Sequence, residues 1–246
     1  MAEIVTYARP SRLYRYRELL PAKLDRELRA IEDRYIYCAS YSSMNDPMEG
    51  GHRLSSVFAS SRTHKRHRLA VPRLIGQLGI ASFSEIKNHE TMWAHYAGSF
   101  SGLCISYSTR KLLSGLASEC EFVKMNYSDE PPLMLKNSES ASQRAKLALS
   151  YKTMRWSIER EWRLFSAQQG QAKYKDTNTV TAVYVGSRTE RKTIDEIVSR
   201  CRNLSIPVYG MEVDKYDIRF RRLDKKSIKE RLIYRLGYAD FGAIGL

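Results

Sequence analysis

Cysteine is scarce and scattered: the four residues Cys38, Cys104, Cys120 and Cys201 form no C-x-x-C, and no histidine stands near them at zinc-ligand spacing. That excludes a structural zinc site from the sequence pattern and favours free, buried thiols in a reducing compartment over a disulfide framework. No apolar run approaches the roughly 18 residues that span a bilayer. The start of the chain, Met1-Ala2-Glu3-Ile4-Val5-Thr6-Tyr7, has neither the basic nor the apolar region of a signal peptide. A cytoplasmic protein with no membrane partner is therefore expected. No glycine-rich loop follows a strand pattern, which removes the P-loop and the dinucleotide-binding Rossmann fingerprint. Internal repeats and long Pro/Gly/Ser linkers are also missing.

Acid is the other shortage. Twenty-seven Asp and Glu face 41 Lys and Arg, giving a formal net charge of +14 over 246 residues and a pI near 9.7. A field of that sign attracts polyanions through counterion release, so nucleic acid is the expected partner. Two stretches concentrate the charge. Arg62-Thr63-His64-Lys65-Arg66-His67-Arg68 contains no acid, and the run from Arg219 to Arg235 is dominated by Lys and Arg. Candidate phosphate contacts are Arg62, Lys65, Arg66 and Arg68 in the first, and Arg221, Arg222, Lys225, Lys226 and Lys229 in the second. The alternative is two solvated helix faces, since no nucleic-acid module is recognisable. His64 and His67 lie in a run that repels cations, and no ligand cluster occurs elsewhere, so no metal is expected.

Periodicity predicts an α+β domain. Leu13 to Arg17, Tyr35 to Ala39, Gly79 to Ser84, Gly102 to Tyr107, Phe122 to Tyr127, Trp162 to Phe165, Val180 to Val185, Val208 to Val213 and Ile218 to Leu223 read as strands. Helices are expected over Pro21–Arg34, Ser55–Leu78, Glu90–Tyr96, Ser138–Trp156 and Ile194–Cys201, with Ser138–Trp156 the clearest of them. Short strands separated by unequal helices favour one domain over residues 1–223, with a mixed, mainly antiparallel sheet, a split sheet being one form of it, and flanking helices. Residues 224–246 are expected to add a basic helical tail packed on it.

Four segments carry a resemblance. They are Leu13-Tyr14-Arg15-Tyr16-Arg17; Met44-Asn45-Asp46-Pro47-Met48-Glu49; Ser82-Phe83-Ser84 with Met92-Trp93-Ala94-His95-Tyr96-Ala97 and Gly102; and Lys152 to Trp156 with Glu159-Arg160-Glu161-Trp162-Arg163-Leu164. Their order and spacing, over roughly residues 13 to 213, resemble the bacterial domain-of-unknown-function family number 2971, a family encountered near phage-defence and mobile elements. The resemblance implies a fold but no settled activity, and suggests an antitoxin or defence-complex partner.

A second, weaker resemblance is to the Arg–Ser–Glu order of ADP-ribosyltransferases. It implies NAD as cofactor, with Arg17 on its anionic part. Ser84, Tyr16, Trp93, His95 and Tyr96 would shape its pocket, and Glu161 with Glu159 would carry catalysis. Breaking the bond to nicotinamide builds positive charge on the sugar, which a fixed carboxylate stabilises. On a strand, Glu159 and Glu161 would share a face. Asn45, Asp46 and Glu49 are further candidates for the same cleft.

Each has a bland alternative. Glu-x-Glu between arginines forms ordinary ion pairs. Asn45-Asp46-Pro47 makes a rigid turn by itself, leaving only Glu49 unexplained. Trp93 and Tyr96 lie three apart on one helical face, where Trp93 suits a core, while His95 points elsewhere. The rival functions are a non-enzymatic nucleic-acid-binding module, a metal-dependent nuclease built on the Asn-Asp-Pro-x-Glu turn, and a structural partner in a defence complex.

Overall fold

The structure is a computed structural model, described for residues 9–60, 63–135 and 140–223. In chain order its elements are β1 (Arg12–Arg17), α1 (Pro21–Glu32), β2 (Tyr35–Cys38), β3 (Arg53–Leu54), α2 (Ser56–Ala59), α3 (Thr63–Gln77) and β4 (Gly79–Ser84). Next come α4 (Glu90–Tyr96), β5 (Leu103–Ser108), α5 (Thr109–Gly115), β6 (Glu121–Lys124), β7 (Asn126–Tyr127), β8 (Leu133–Met134), α6 (Ala141–Ala148) and β9 (Tyr151–Lys152). A 3-10 segment, Met154–Glu159, leads into β10 (Glu161–Ser166), β11 (Gly170–Lys173), β12 (Val180–Val185), α7 (Arg191–Asn203), β13 (Val208–Asp214) and β14 (Asp217–Arg222). Strand pairing in the main sheet is mixed and mainly antiparallel, with small two-stranded sheets beside it, which is the α+β class expected. The tail expected over 224–246 lies outside the described residues.

The chain forms two compact units. The first draws on residues up to Arg15, on Arg29–Lys87 and on Tyr107–Thr179; the second on Tyr16–Leu28, Asn88–Ser106 and the residues from Val180. In the first, the strands run in the order β1, β4, β10, β6. Their register sets Tyr14 opposite Ser84, Ser84 opposite Glu161, and Arg163 between Ser82 and Val123. Because strand side chains alternate, Glu161, Arg163 and Phe165 share a face with Ser84, Ser82 and Ile80. The Phe165 and Ile80 end of that face is oily. It packs with Phe58 of α2, Val71 and Ile75 of α3, and Ala145, Ala148 and Leu149 at α6, all buried. The Glu161 end is charged.

In the second unit the order is β14, β13, β12, β5, with β12 parallel to β13 and β13 antiparallel to β14. Trp93 is its central side chain, fully buried, with the ring of Tyr16 edge-on at 5.4 Å and that of Phe220 at 6.1 Å. Helix α7 buries Ile194, Ile197, Val198 and Cys201, the spacing of one amphipathic face.

Two helix expectations fail in an instructive way. The run read as one helix over Ser138–Trp156 stops at Ala148: Ser140 and Gln143 form a reciprocal capping box at its start, and the chain beyond Leu149 turns extended. Tyr151 and Lys152 then pair parallel to Asn126 and Tyr127, with backbone bonds from Asn126 to Ser150 and from Ser128 to Lys152. Tyr151, Thr153 and Trp156 are weak helix formers, and the partners described below hold Lys152 where the extended chain delivers it. The helix expected over Ser55–Leu78 is two, α2 and α3, the second continuing through Pro72. Strands β3, β8 and β9, of two residues each, are too short for periodicity and were not foreseen, and neither was the four-residue β11.

Gly79 opens β4 where a Cβ would stand 2.3 Å from the Gln168 carbonyl oxygen and 2.8 Å from the Cys38 Cβ. Gly79→Ala is expected to lower unfolding free energy by about 1–3 kcal/mol, the cost of overpacking. Urea unfolding followed by circular dichroism measures it, and an unchanged midpoint would refute the close approach.

Candidate functional site

The charged end of the first unit's sheet face holds five buried ions. Arg163, with 0% exposure, comes from β10, as does Glu161; Lys152 comes from β9, Glu159 from the 3-10 segment and Glu49 from the turn after Asp46. Arg163 donates through Nε and Nη2 to Glu161 Oε1, both at 3.0 Å, and through Nη1 to Glu49 Oε2 at 2.7 Å. The same Nη1 also donates to the Leu149 carbonyl at 2.7 Å, tying the group to the end of α6. Lys152 Nζ lies 2.7 Å from Glu159 Oε2, 2.7 Å from Glu161 Oε2 and 3.5 Å from Glu49 Oε1. The approach to Glu161 Oε2 is an ion pair that helps to hold that carboxyl ionised.

Local conformation explains how the two late glutamates meet. Glu159 is not on the strand, so the expected two-residue alternation does not apply. Arg160 takes a left-handed conformation (φ 44°) that ends the 3-10 turn and starts β10. The kink brings the Glu159 and Glu161 carboxylates to the same ammonium. Ser84 fixes it: its hydroxyl donates to the Glu159 carbonyl oxygen at 2.6 Å and accepts from the Ile86 N–H at 3.1 Å. Tyr127 lies in register with Lys152, and its hydroxyl accepts the Glu161 N–H at 2.7 Å. The half-buried Trp156 ring centre stands 5.3 Å from Lys152 Nζ.

Burial by itself would raise the Glu161 pKa, but Arg163 and then Lys152 more than offset it and hold the carboxyl down at about 2. Burial would likewise depress Lys152 and Arg163, yet the carboxylates around them keep both well above their ordinary values. The Tyr127 hydroxyl is pushed up, first by burial and then by the Glu161 and Glu159 charges. Three carboxylates against two cations leave the cluster at −1. The rest of the chain therefore carries +15, against +14 for the whole.

The sequence candidates distribute as follows. Glu161, Glu159, Glu49 and Ser84 converge here. Asp46 is buried in the turn that carries Glu49, with Oδ1 accepting the Met48 N–H at 2.9 Å and Oδ2 buried without a hydrogen-bond partner; Asn45 is exposed. Tyr16, Arg17, Trp93, His95 and Tyr96 belong to the second unit. Arg17 is held there by Glu27, at 2.7 and 2.6 Å to its two oxygens. Trp93 is core, Tyr96 half-buried and His95 exposed. Arg68, Arg221 and Arg222 are exposed; the backbone of Lys65 and Arg66 lies in α3, while their side chains, and all of Arg62, Lys225, Lys226 and Lys229, fall outside the described residues. Lys152, Arg163, Tyr127 and Trp156 were not assigned to this site from sequence. The signal for Arg163 was present: Glu161-x-Arg163 on a strand forces the two side chains onto one face.

Among the described residues, no group of three or more His, Cys, Asp or Glu could hold a metal ion, and no helix is long and apolar enough to cross a membrane. Residues 92–164, which include Lys152, Glu159, Glu161 and Arg163, match a family model. The family is DUF2971, protein of unknown function. No curated protein and no solved structure matches the chain. The DUF2971 match therefore brings no activity with it, and the chemistry has to be read from the side chains.

A carboxyl bound more tightly as an anion in the folded state stabilises that state only while ionised. The Glu161 contribution, on the order of 3 kcal/mol, is complete above its unfolded pKa near 4.3 and is lost as pH falls toward 2. Urea midpoints are therefore expected to fall between about pH 5 and pH 2, with a shallower slope in Glu161→Gln. Equal slopes in the two proteins would contradict the assignment.

Proposed function

We propose that the chain is an ADP-ribosyltransferase-like enzyme, a cytoplasmic defence or toxin effector that uses NAD to modify nucleic acid or a nucleic-acid-bound target, with Glu161 as its central carboxylate. One observation carries this reading: Glu161 is kept ionised inside a buried cluster whose sum is −1. A carboxyl with a pKa near 2 is a poor proton shuttle at neutral pH but a permanent anion. Permanent negative charge is what a reaction through a cationic sugar centre requires. In such a transfer the bond between ribose C1 and the pyridinium nitrogen breaks, neutral nicotinamide leaves with the electron pair, and the acceptor atom bonds to C1 and releases its proton. Glu161 would oppose the positive charge at C1, with Glu159 and Glu49 adding to the field. Lys152 and Arg163 fix the carboxylates in place and keep Glu161 charged. Ser84, cross-strand from Glu161, acts as a clamp on Glu159. Arg17, already held by Glu27, is not offered to the cofactor phosphates in this arrangement.

The charge distribution favours one second reading, a non-enzymatic nucleic-acid-binding module. The cluster withdraws three acids from the surface and leaves +15 on the remainder. Such a module would bind RNA or DNA with a steep salt dependence, indifferent to the charge at position 161.

The test is turnover of labelled NAD by wild type, Glu161→Asp and Glu161→Gln, with RNA, single-stranded DNA and lysate protein as acceptors. Glu161→Gln is expected to lose transfer by about a hundredfold or more while still melting cooperatively, and Glu161→Asp to retain part of it. Full transfer by a folded Glu161→Gln removes this role. Salt-sensitive nucleic-acid binding with no NAD consumption selects the binding module.

A further inference from the structure

Resting on the nucleic-acid target that both readings share, we infer that the outer face of the β2–β11 pair, in the first unit, binds single-stranded nucleic acid. An unpaired base stacks on Tyr37, and Arg34, Lys173 and Lys175 hold the phosphate backbone. The distribution of charge points to this unit. Its segments contain 24 Lys and Arg against 14 Asp and Glu, a formal +10 of the total +14.

Several surface cations are already answered. Arg53 is paired with Glu130 at 2.7 Å, Lys146 with Glu121 at 2.6 Å, and in the other unit Arg219 with Asp214 and Asp217 at 3.3 and 2.9 Å. Arg34, Lys173 and Lys175 are exposed, and among the described residues no carboxylate pairs with any of them. Asp176, the acid beside Lys175, is taken by Lys111 at 3.3 Å and accepts the Asn178 N–H at 2.7 Å. Exposed Asp33 offsets one of the three charges.

Strand pairing gathers these residues, which form no run in the sequence. Tyr37 stands opposite Gln171 and Tyr35 opposite Lys173, and the Arg34 carbonyl continues the ladder by accepting the Tyr174 N–H at 2.9 Å. Arg34 is left-handed (φ 56°), and its Nη1 donates to the Lys175 carbonyl at 3.0 Å, which lays the guanidinium beside the two lysines. Alternation puts Tyr37, Gln171 and Lys173 on one face, where all three are exposed, and Ile36, Cys38 and Ala172 on the other, where all are buried.

Tyr37 exposes 47% of its surface while its carbonyl accepts Arg15 Nη2 at 2.7 Å, so the ring stands on a fixed strand. Lys173 is its diagonal neighbour, about 7 Å away. A fixed, exposed ring beside unanswered cations suits a base and the phosphates flanking it. Gln171, directly across from Tyr37, presents an amide to a base edge or sugar. A duplex keeps its base faces stacked, and so can use the charge of this surface but not the ring.

The probes are fluorescein-labelled oligouridylate and oligothymidylate of about 12 nucleotides, and a duplex of the same length, titrated with the full chain by fluorescence anisotropy at several salt concentrations. Near physiological salt the single strands are expected to bind about tenfold or more tightly than the duplex. Tyr37→Ala should weaken single-strand binding about tenfold without changing its salt slope, and Tyr37→Phe should bind as wild type. Lys173→Gln combined with Lys175→Gln should lower the slope of log affinity against log salt by about 1.4, about 0.7 for each phosphate. Melting temperatures check that each variant is folded. Unchanged binding in folded Tyr37→Ala and in the folded lysine pair, or duplex bound as tightly as single strand, overturns this surface and leaves nucleic acid as a partner. NAD turnover on a protein acceptor, with no strand bound by wild type, overturns the surface and leaves the transferase standing.

Discussion

Arg163 is the constraint on which the rest of the first unit depends. A guanidinium with no exposed surface cannot lose its proton, and stripping it of water costs several kcal/mol, so the fold has to surround it with acceptors. It does so with a strand neighbour two residues away, a turn more than a hundred residues earlier and a backbone carbonyl at the end of α6. Those acceptors bring in one carboxylate more than Arg163 can balance alone, and Lys152 with Glu159 completes the set. Much of the local backbone follows: α6 stops at Ala148, β9 pairs with β7, and Arg160 turns left-handed so that Glu159 can face inward. The neighbouring apolar layer of Phe58, Val71, Ile75 and Leu149 supplies ordinary burial and needs no such accounting.

The sequence made the apolar strands legible. Gly79–Ser84 and Val180–Val185 are buried almost throughout and Val208–Val213 over its first half, and the strands stand where the short apolar runs put them, to within a residue at one end. It misled where a tertiary interaction outbid local preference. The alanine-rich run after Ser138 has good helical composition, yet the buried carboxylates around Lys152 need the chain extended there. Two-residue strands such as Arg53–Leu54 carry no period to detect. For the site, the motif segments did converge in part: Glu49, Ser84, Glu159 and Glu161 are one cluster. Asn-Asp-Pro proved explicable as a turn, and Glu49 was the residue left over. What could not be read from one dimension is which cations would answer the acids, because Lys152 and Arg163 are ordinary letters until folding removes them from water.

A cluster of this kind has two physical consequences that bear on function. It fixes ionised carboxylates where water cannot screen them, which is how a protein keeps an electrostatic device ready without reorganisation. It also sorts charge, since acids taken inside leave a more basic exterior, well matched to a polyanionic target. The transferase proposal uses the first consequence and the proposal of a nucleic-acid target the second.

The ion cluster requires Glu49 and Arg163 to be energetically one unit. A double-mutant cycle with Glu49→Gln, Arg163→Met and the pair, measured by urea unfolding at pH 7, reads that directly. The single substitutions should each destabilise strongly, and the double mutant should recover a coupling energy of about 1.5–3 kcal/mol, because each partner's loss strands the other. Additive effects, with coupling within about 0.5 kcal/mol of zero, would mean that the two charges do not meet in the folded protein.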